Sequence, residues 1–237
     1  MYSSPAIQHS DIETLQAELD NAYPQTILRR AVDLFGDELV VVTSFQPTGI
    51  VTLHMLQEIA PQLTIMTVDT NLLFNETYQL MDQLEQDWGL NLIRVRPSQS
   101  VEEQAQTHGN ALWLDEPNKC CDLRKVAPLK DALQPYQAWI SGVRRDQSST
   151  RAETAVVSWD KRNNKVKFCP FATWTESMIW TYIHAYDLPY NALHTQGYTS
   201  IGCFPCTQAV QAGDDLRAGR WVHHAKTECG IHVQSPA

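Results

Sequence analysis

Two short cysteine segments carry the chemistry most easily read from this chain: Lys119-Cys120-Cys121-Asp122-Leu123-Arg124-Lys125 and, about eighty residues on, Cys203-Phe204-Pro205-Cys206. A disulfide between neighbouring cysteines closes a strained ring, and two buried free thiols pack no better than two alanines. A metal centre accounts for both pairs at once. Four thiolates hold either a tetrahedral zinc ion or an iron–sulfur cluster. Structural zinc sites draw on spaced pairs, and Cys120-Cys121 has no spacer. Adjacent cysteines reach two corners of a 4Fe–4S cube more easily than they wrap one small ion. The pattern therefore predicts a 4Fe–4S cluster on Cys120, Cys121, Cys203 and Cys206.

A second kind of chemistry is anion binding. Gly142-Val143-Arg144-Arg145-Asp146-Gln147-Ser148-Ser149-Thr150-Arg151 sets three arginines in eight residues, within an otherwise acidic chain. Guanidinium groups match phosphate or sulfate oxygens two at a time. Arg124-Lys125 and Arg217-Ala218-Gly219-Arg220 add two further cationic pairs. A third is nucleophilic: Cys229, in Glu228-Cys229-Gly230-Ile231-His232, sits in a polar tail where a core role is unexpected, and an exposed thiol among cations can attack. Cys169, before Pro170, has no such setting and reads as structural.

These residues need elements to position them. Helical spacing runs through residues 11–35, divided at Pro24 and ended by Gly36. Leu39 to Phe45 is a β-branched run of the kind that forms a central parallel strand. It breaks at Gln46-Pro47-Thr48-Gly49 and gives way to a helical pattern. The unit repeats with a strand over 63–68, a helix over 76–88 and a strand over 92–95. After the cysteine helix, residues 138–143 form a fourth strand. Residues 156–168 read as a hairpin, and a helix capped by Thr175 follows. Such alternation predicts an α/β fold, a doubly wound and mostly parallel sheet. Ligands of such sheets bind at the carboxyl ends of the strands. Ser44 and Asp69 stand there, beside the arginine loop.

The chain of 237 residues is long enough for one globular unit with a real core. A net charge of −9 and a pI of about 5.3 argue against nucleic-acid or membrane-surface partners. No basic-then-apolar leader opens the sequence and no run is long enough to span a bilayer, so a cytoplasmic protein with reduced thiols is expected. Oligomeric state stays open, a homo-oligomer included.

Almost everything after residue 38 resembles the assimilatory sulfonucleotide reductases. The resemblance rests on VVVTSFQPTG, VDTNLLFNETY, KCCDLRKVAPL, SGVRRDQSSTR, PYNALHTQGYTSIGCFPCT, RAGRW and ECGIH, in family order. Two departures stand out: SFQPTG lacks the early glycine and acidic residue that many members place in the first turn, and Asn71 occupies a position where many have glycine. The resemblance implies an adenine-nucleotide α-hydrolase-like sheet. It implies helices over 1–38, a nucleotide-binding reductase unit over 39–210 and a flexible active-site tail over 211–237. It also implies that the four paired cysteines ligate a 4Fe–4S cluster, a mark of the branch that reduces adenosine 5'-phosphosulfate (APS). Lys125, Arg217 and Arg220 would meet the phosphosulfate with Arg144 and Arg145 close by, and Ser44, Asp69 and His232 would complete the substrate contacts. Cys229 would be the nucleophile, with thioredoxin or glutaredoxin as reductant. The rivals are reduction of the 3'-phosphorylated substrate (PAPS), dual specificity, and an ATP-pyrophosphatase type of nucleotide chemistry. The last requires a glycine-rich SGGxDS-type first turn, which is missing here.

Overall fold

The computed structural model describes residues 9–232. Helices α1 (His9–Leu19) and α2 (Pro24–Phe35) come first, with Pro24 at the opening turn of α2 and Gly36 at φ 46° behind it. Proline is tolerated there because the first turn has no intrahelical use for its missing N–H. Ile12, Leu15, Leu19, Ile27, Leu28 and Ala31 are buried in the same core as the sheet. Each large aliphatic side chain so placed contributes about 1.5–3 kcal/mol relative to exposure.

The strands are β1 (Leu39–Val42), β2 (Ile65–Val68), β3 (Leu92–Val95), β4 (Ala138–Ser141), β5 (Val157–Asp160) and β6 (Lys165–Phe168). They form one sheet in the order β3-β2-β1-β4-β6-β5. All neighbours run parallel except the β5–β6 hairpin. Between them lie α3 (Pro47–Ile59), α4 (Asn75–Trp88), α5 (Val101–His108), α6 (Leu112–Asp115), α7 (Pro117–Cys121) and α8 (Ala127–Ala132), and α9 (Glu176–Ala185) follows the hairpin. The expected doubly wound sheet is thus the observed one. β1 and β4 pair at its centre, with Leu39, Val40, Ala138, Trp139 and Ile140 inaccessible to solvent. The open edge at β5 is covered by α1, where Gln16 accepts the backbone N–H of Val157 at 2.7 Å. Covering an edge with a helix blocks pairing with another chain.

Two strands stop earlier than their β-branched runs. β1 ends at Val42, because Thr43 Oγ1 accepts the N–H of Phe45 and turns the chain, leaving Phe45 at φ 54°. Its ring, buried in the core, offsets the cost of a conformation that L-residues avoid. The strand after α8 ends at Ser141, so Gly142 and Val143 belong to the loop beyond β4. Thr175 caps α9 by accepting the N–H of Met178. Among the described residues no helix is long and apolar enough to cross a membrane.

Candidate active site

The central switch from β1 to β4 opens a pocket at the carboxyl ends of the strands, as the topology requires. It is an open cleft whose non-atom space, the solvent at its mouth included, comes to about 1460 Å³. One wall is the turn from Thr43 to Gly49 that leads into α3. There Gly49 is obligatory, since a Cβ would stand 2.2 Å from Thr43 Oγ1. The opposite wall is Ser141 to Arg144, with Gln147 and Arg151, and the roof is Arg217, Arg220, Trp221, Cys229, Ile231 and His232.

Lys125 closes the floor, and it also lines a second, smaller cavity with Cys120, Cys121, Arg124, Cys203 and Cys206. Local helix geometry explains this double reach. Between α7 and α8 the helix widens into a π turn over Asp122–Val126, in which Ala127 N–H bonds Asp122 C=O. The wider turn aims Arg124 and Lys125 the same way as the cysteines before them, and such turns gather at functional sites. The C-x-x-C segment reaches this helix by pairing with the loop after β2: Phe204 N–H bonds Leu72 C=O at 2.8 Å, and Thr70 Oγ1 lies 3.2 Å from Cys203 Sγ. Burial and crowding with the other sulfurs push the Cys120 thiol up to about 12. Burial does the same to Cys206, up to about 11. Such thiols stay protonated unless a cation takes the proton's place.

Whether these residues fit a metal group can be judged from the wall itself. Among the described residues, no three His, Cys, Asp or Glu side chains converge tightly enough to share one ion. All four cysteines nevertheless line one small cavity, and a set of four thiols is the donor set of zinc ions and iron–sulfur clusters alike. Arg124 is buried, donating to Thr70 C=O at 2.7 Å and to Gln104 Oε1 at 3.0 Å, yet its Nη2 has no protein partner. A buried cation with a spare N–H beside four thiols complements a negatively charged thiolate-bound group.

The cations of the large pocket divide into those already neutralised and those that are not. Arg144 is buried against Asp146 and donates to Thr48 Oγ1 at 2.6 Å. Arg151 and Arg217 both face Glu228. Lys125 and Arg220 have no carboxylate partner among the described residues. Arg220 lies 4.5 Å over the Trp221 ring, and Gly202 makes room for it, since a Cβ there would come within 2.2 Å of the guanidinium. The buried Nε atoms of Arg217 and Arg220 have no protein partner. Burial brings Arg217 down to about 10, which leaves it charged at neutral pH.

Seven of the residues singled out by sequence meet here: Ser44, Lys125, Arg144, Arg217, Arg220, Cys229 and His232. His232 stacks on Trp139 with the rings 13° apart, and burial, with Lys167 and two arginines nearby, holds it neutral. Two do not line the pocket. Asp69 is buried and fully engaged, accepting from Tyr78 OH at 2.6 Å, Asn71 N–H and Arg96 Nε, so it fastens the loop after β2. Arg145 turns outward to Asp20 on the loop after α1 and to Thr154 C=O. Thr48, Gln147, Trp180 and Glu228 belong to the site without having been singled out for it. Only Glu228, an acidic residue beside the tail thiol, carried a readable signal. Cys169 is buried away from both cavities, as a structural residue should be.

A mostly parallel α/β sheet with a pocket at its switch point, lined by arginine, lysine and a thiol, has the architecture of a nucleotide-binding enzyme fold. The chain belongs to the phosphoadenosine phosphosulfate reductase domain family, whose model matches residues 38–209. It is 46% identical over 223 residues to the adenosine 5'-phosphosulfate reductase of Salinibacter ruber, covering 94% of this chain and 88% of that protein. The adenosine 5'-phosphosulfate reductase of Shouchella clausii is 44% identical, with 98% and 97% covered. Among solved structures, the phosphate complex of PAPS reductase from Candida auris matches with a TM-score of 0.76 and 28% identity, over 88% of this chain and all of that one. FMN adenylyltransferase from Candida glabrata, at 12% identity and a TM-score of 0.59 over 98% of this chain and 79% of that one, shares the fold alone.

Proposed function

We propose that this chain reduces APS to sulfite and AMP in sulfate assimilation, through an S-sulfonated Cys229. The observation that carries the reading is the meeting of Lys125, Arg217, Arg220 and the Cys229 thiol around one pocket. In APS the sulfur is bonded to a phosphate, a good leaving group. The Cys229 thiolate attacks that sulfur, forming the sulfur–sulfur bond while the sulfur–oxygen bond breaks and AMP departs with the electron pair. A thiolate of an external dithiol then attacks Cys229 Sγ. Sulfite leaves with the sulfur–sulfur pair, and the second thiol resolves the mixed disulfide. Two electrons pass from dithiol to sulfur. With one nucleophile outside the four-cysteine set, the chain needs such a partner, and thioredoxin or glutaredoxin is the chemical class that fits.

Lys125 and Arg220, the cations without carboxylate partners, counter the charge that builds on the phosphosulfate. The turn before α3 and the Gly142–Arg144 segment hold the nucleotide. Cys120, Cys121, Cys203 and Cys206 would hold a 4Fe–4S cluster, which when bound would supply concentrated negative charge next to Lys125. The gathering of all four cysteines on one cavity, the adjacency of Cys120 and Cys121, and the spare Arg124 N–H support that assignment.

The reading is tested by incubating reduced protein with APS in the absence of reductant. Stoichiometric AMP and a Cys229 heavier by one SO3 group are expected. AMP without the adduct, or neither product, overturns it. Iron is a separate expectation: anaerobically prepared protein carries about four irons with acid-labile sulfide, and Cys203→Ser bleaches it. Stoichiometric zinc without labile sulfide would falsify the cluster.

Substrate choice follows from how the cations are spent. PAPS brings an additional 3'-phosphate that must be desolvated and countered. Arg144, Arg145, Arg151 and Arg217 are each already paired to a carboxylate. APS is therefore expected to have the higher kcat/KM, by about tenfold or more. Side-by-side sulfite release from the two substrates decides it, and a preference for PAPS would refute this charge accounting.

A further inference from the structure

The residue before Cys229 is held more firmly than any other in the tail. Arg151 forks onto the Glu228 carboxylate, with Nε to Oε1 and Nη2 to Oε2 both at 2.7 Å. Thr150 Oγ1 donates to Oε1 at 3.2 Å, and Arg217 Nη2 approaches Oε2 at 3.4 Å while bonding Thr227 C=O at 2.8 Å. The Arg151 and Glu228 side chains are only 11% and 9% exposed. Arg151 is itself fixed, its Nη1 donating to Gln147 Oε1, which also accepts the N–H of Arg144. Burial alone would push Glu228 up, but the Arg151 hydrogen bonds and charge outweigh it and keep the carboxylate ionised.

The rest of the tail is attached by weaker or uncharged contacts. Arg162 donates to Gly230 C=O, Lys226 to Asn118 Oδ1, Ile231 packs against the buried cluster that holds Val40, Met66 and Trp139, and His232 lies on Trp139. Among the described residues, Glu228 makes every ion pair of the segment 221–232.

We infer that Glu228 is a positioning residue, a carboxylate latch seated in a receptor built by Arg151, Thr150 and Arg217, which holds the Cys229 thiol at the pocket. This rests on the reading of Cys229 as the nucleophile. The chemistry of the contact suits a segment that must dock and then be surrendered to a protein reductant. A bidentate guanidinium–carboxylate pair fixes both position and angle when closed. When it opens, water resolvates both ions, whereas an apolar anchor would be left exposed. The receptor also gives Arg151, the last arginine of its loop and part of the pocket wall, its carboxylate partner in the tail.

The test is the rate at which iodoacetamide alkylates Cys229 in the reduced protein without nucleotide, followed by mass spectrometry. Glu228→Gln and Arg151→Ala are each expected to speed it by about tenfold or more, since removing one partner of a buried pair loosens the contact. Arg151→Ala is the decisive arm, because loss of a positive charge would by its field alone slow a thiolate. The double variant should react no faster than either single one, as two halves of one interaction require. Glu228→Asp, charged but one methylene short, should fall between and stands in if the Gln variant folds poorly. At saturating APS, Glu228→Gln should form the Cys229 adduct about tenfold more slowly, with half-saturation moved less than about twofold, the mark of lost positioning and not of lost binding. Unchanged alkylation in both single variants, or additive effects in the double, overturns the latch. Alkylation needs no substrate, so it judges the latch even if wild-type Cys229 forms no adduct with APS, the result that would instead sink the nucleophile reading.

Discussion

Cys229→Ser is expected to release no sulfite above background while keeping its nucleotide affinity and its iron. The thiol lines the large pocket but not the four-cysteine cavity, so its loss leaves the cavity wall intact. Serine differs by one atom and fits the same half-buried place. Its hydroxyl is not ionised at neutral pH, however, and would need a base to take its proton; His232 of the same tail is instead stacked on Trp139, with Nδ1 3.4 Å from Lys167 Nζ. Nucleophilic attack by an oxygen needs such a partner, and the reaction also needs a sulfur that a dithiol can attack afterwards. Both steps fail together. Mass spectrometry after exposure to APS should find no SO3 adduct anywhere on the chain, while equilibrium binding of AMP and the iron content match the parent. Sulfite release within tenfold of the parent would place the sulfur chemistry on another residue.

Much of this arrangement was legible before any coordinates. The β-branched runs around Val41, Met66 and Ile140 had to be buried on both faces, which dictated a parallel sheet and put their carboxyl ends at the ligand site. The vicinal and spaced cysteine pairs pointed to one metal centre, and all four cysteines line one small cavity. Side-chain direction was not legible. Arg144 ends the extended chain after β4 and Arg145 opens a 3-10 turn, and the backbone change between them sends one into the pocket and the other to Asp20. Composition cannot say which. Asp69 looked like a ligand group because it is polar and ends a buried strand, but burial with Tyr78 and Arg96 in reach made it a fastener. The two departures from the family's usual glycines have a physical reading. Asn71 sits at φ 57°, the left-handed region where asparagine is the best-tolerated residue after glycine, and Phe45 reaches φ 54° with its ring anchored in the core. The latch on Glu228 joins residues 77 positions apart and had no local signature.

Lys125→Ala should fail differently from Cys229→Ser, and the contrast separates charge stabilisation from nucleophilic attack. Among the described residues, Lys125 alone lines both the large pocket and the cysteine cavity, from within the widened helical turn. It has no carboxylate partner among the described residues. Burial by itself would lower the ammonium, but the sulfurs of Cys203, Cys229 and Cys121 outweigh it and raise the group above its ordinary value, so it is charged throughout the neutral range. A full charge held where the phosphosulfate must lie acts on the transition state more than on the ground state, because the charge on the departing phosphate oxygen grows as the sulfur–oxygen bond breaks. Removal of one preorganised donor of this kind costs roughly 2.7–4 kcal/mol, or about a hundred- to a thousandfold in rate. Cys229 keeps its place, since the tail is held by Arg151, Arg162 and Trp139 and not by Lys125. With APS and no reductant, Lys125→Ala should therefore still accumulate the S-sulfonated Cys229, at that reduced rate and to full stoichiometry. Adduct formation at the parental rate would show that Lys125 serves the cysteine cavity alone and leaves the phosphosulfate to Arg217 and Arg220.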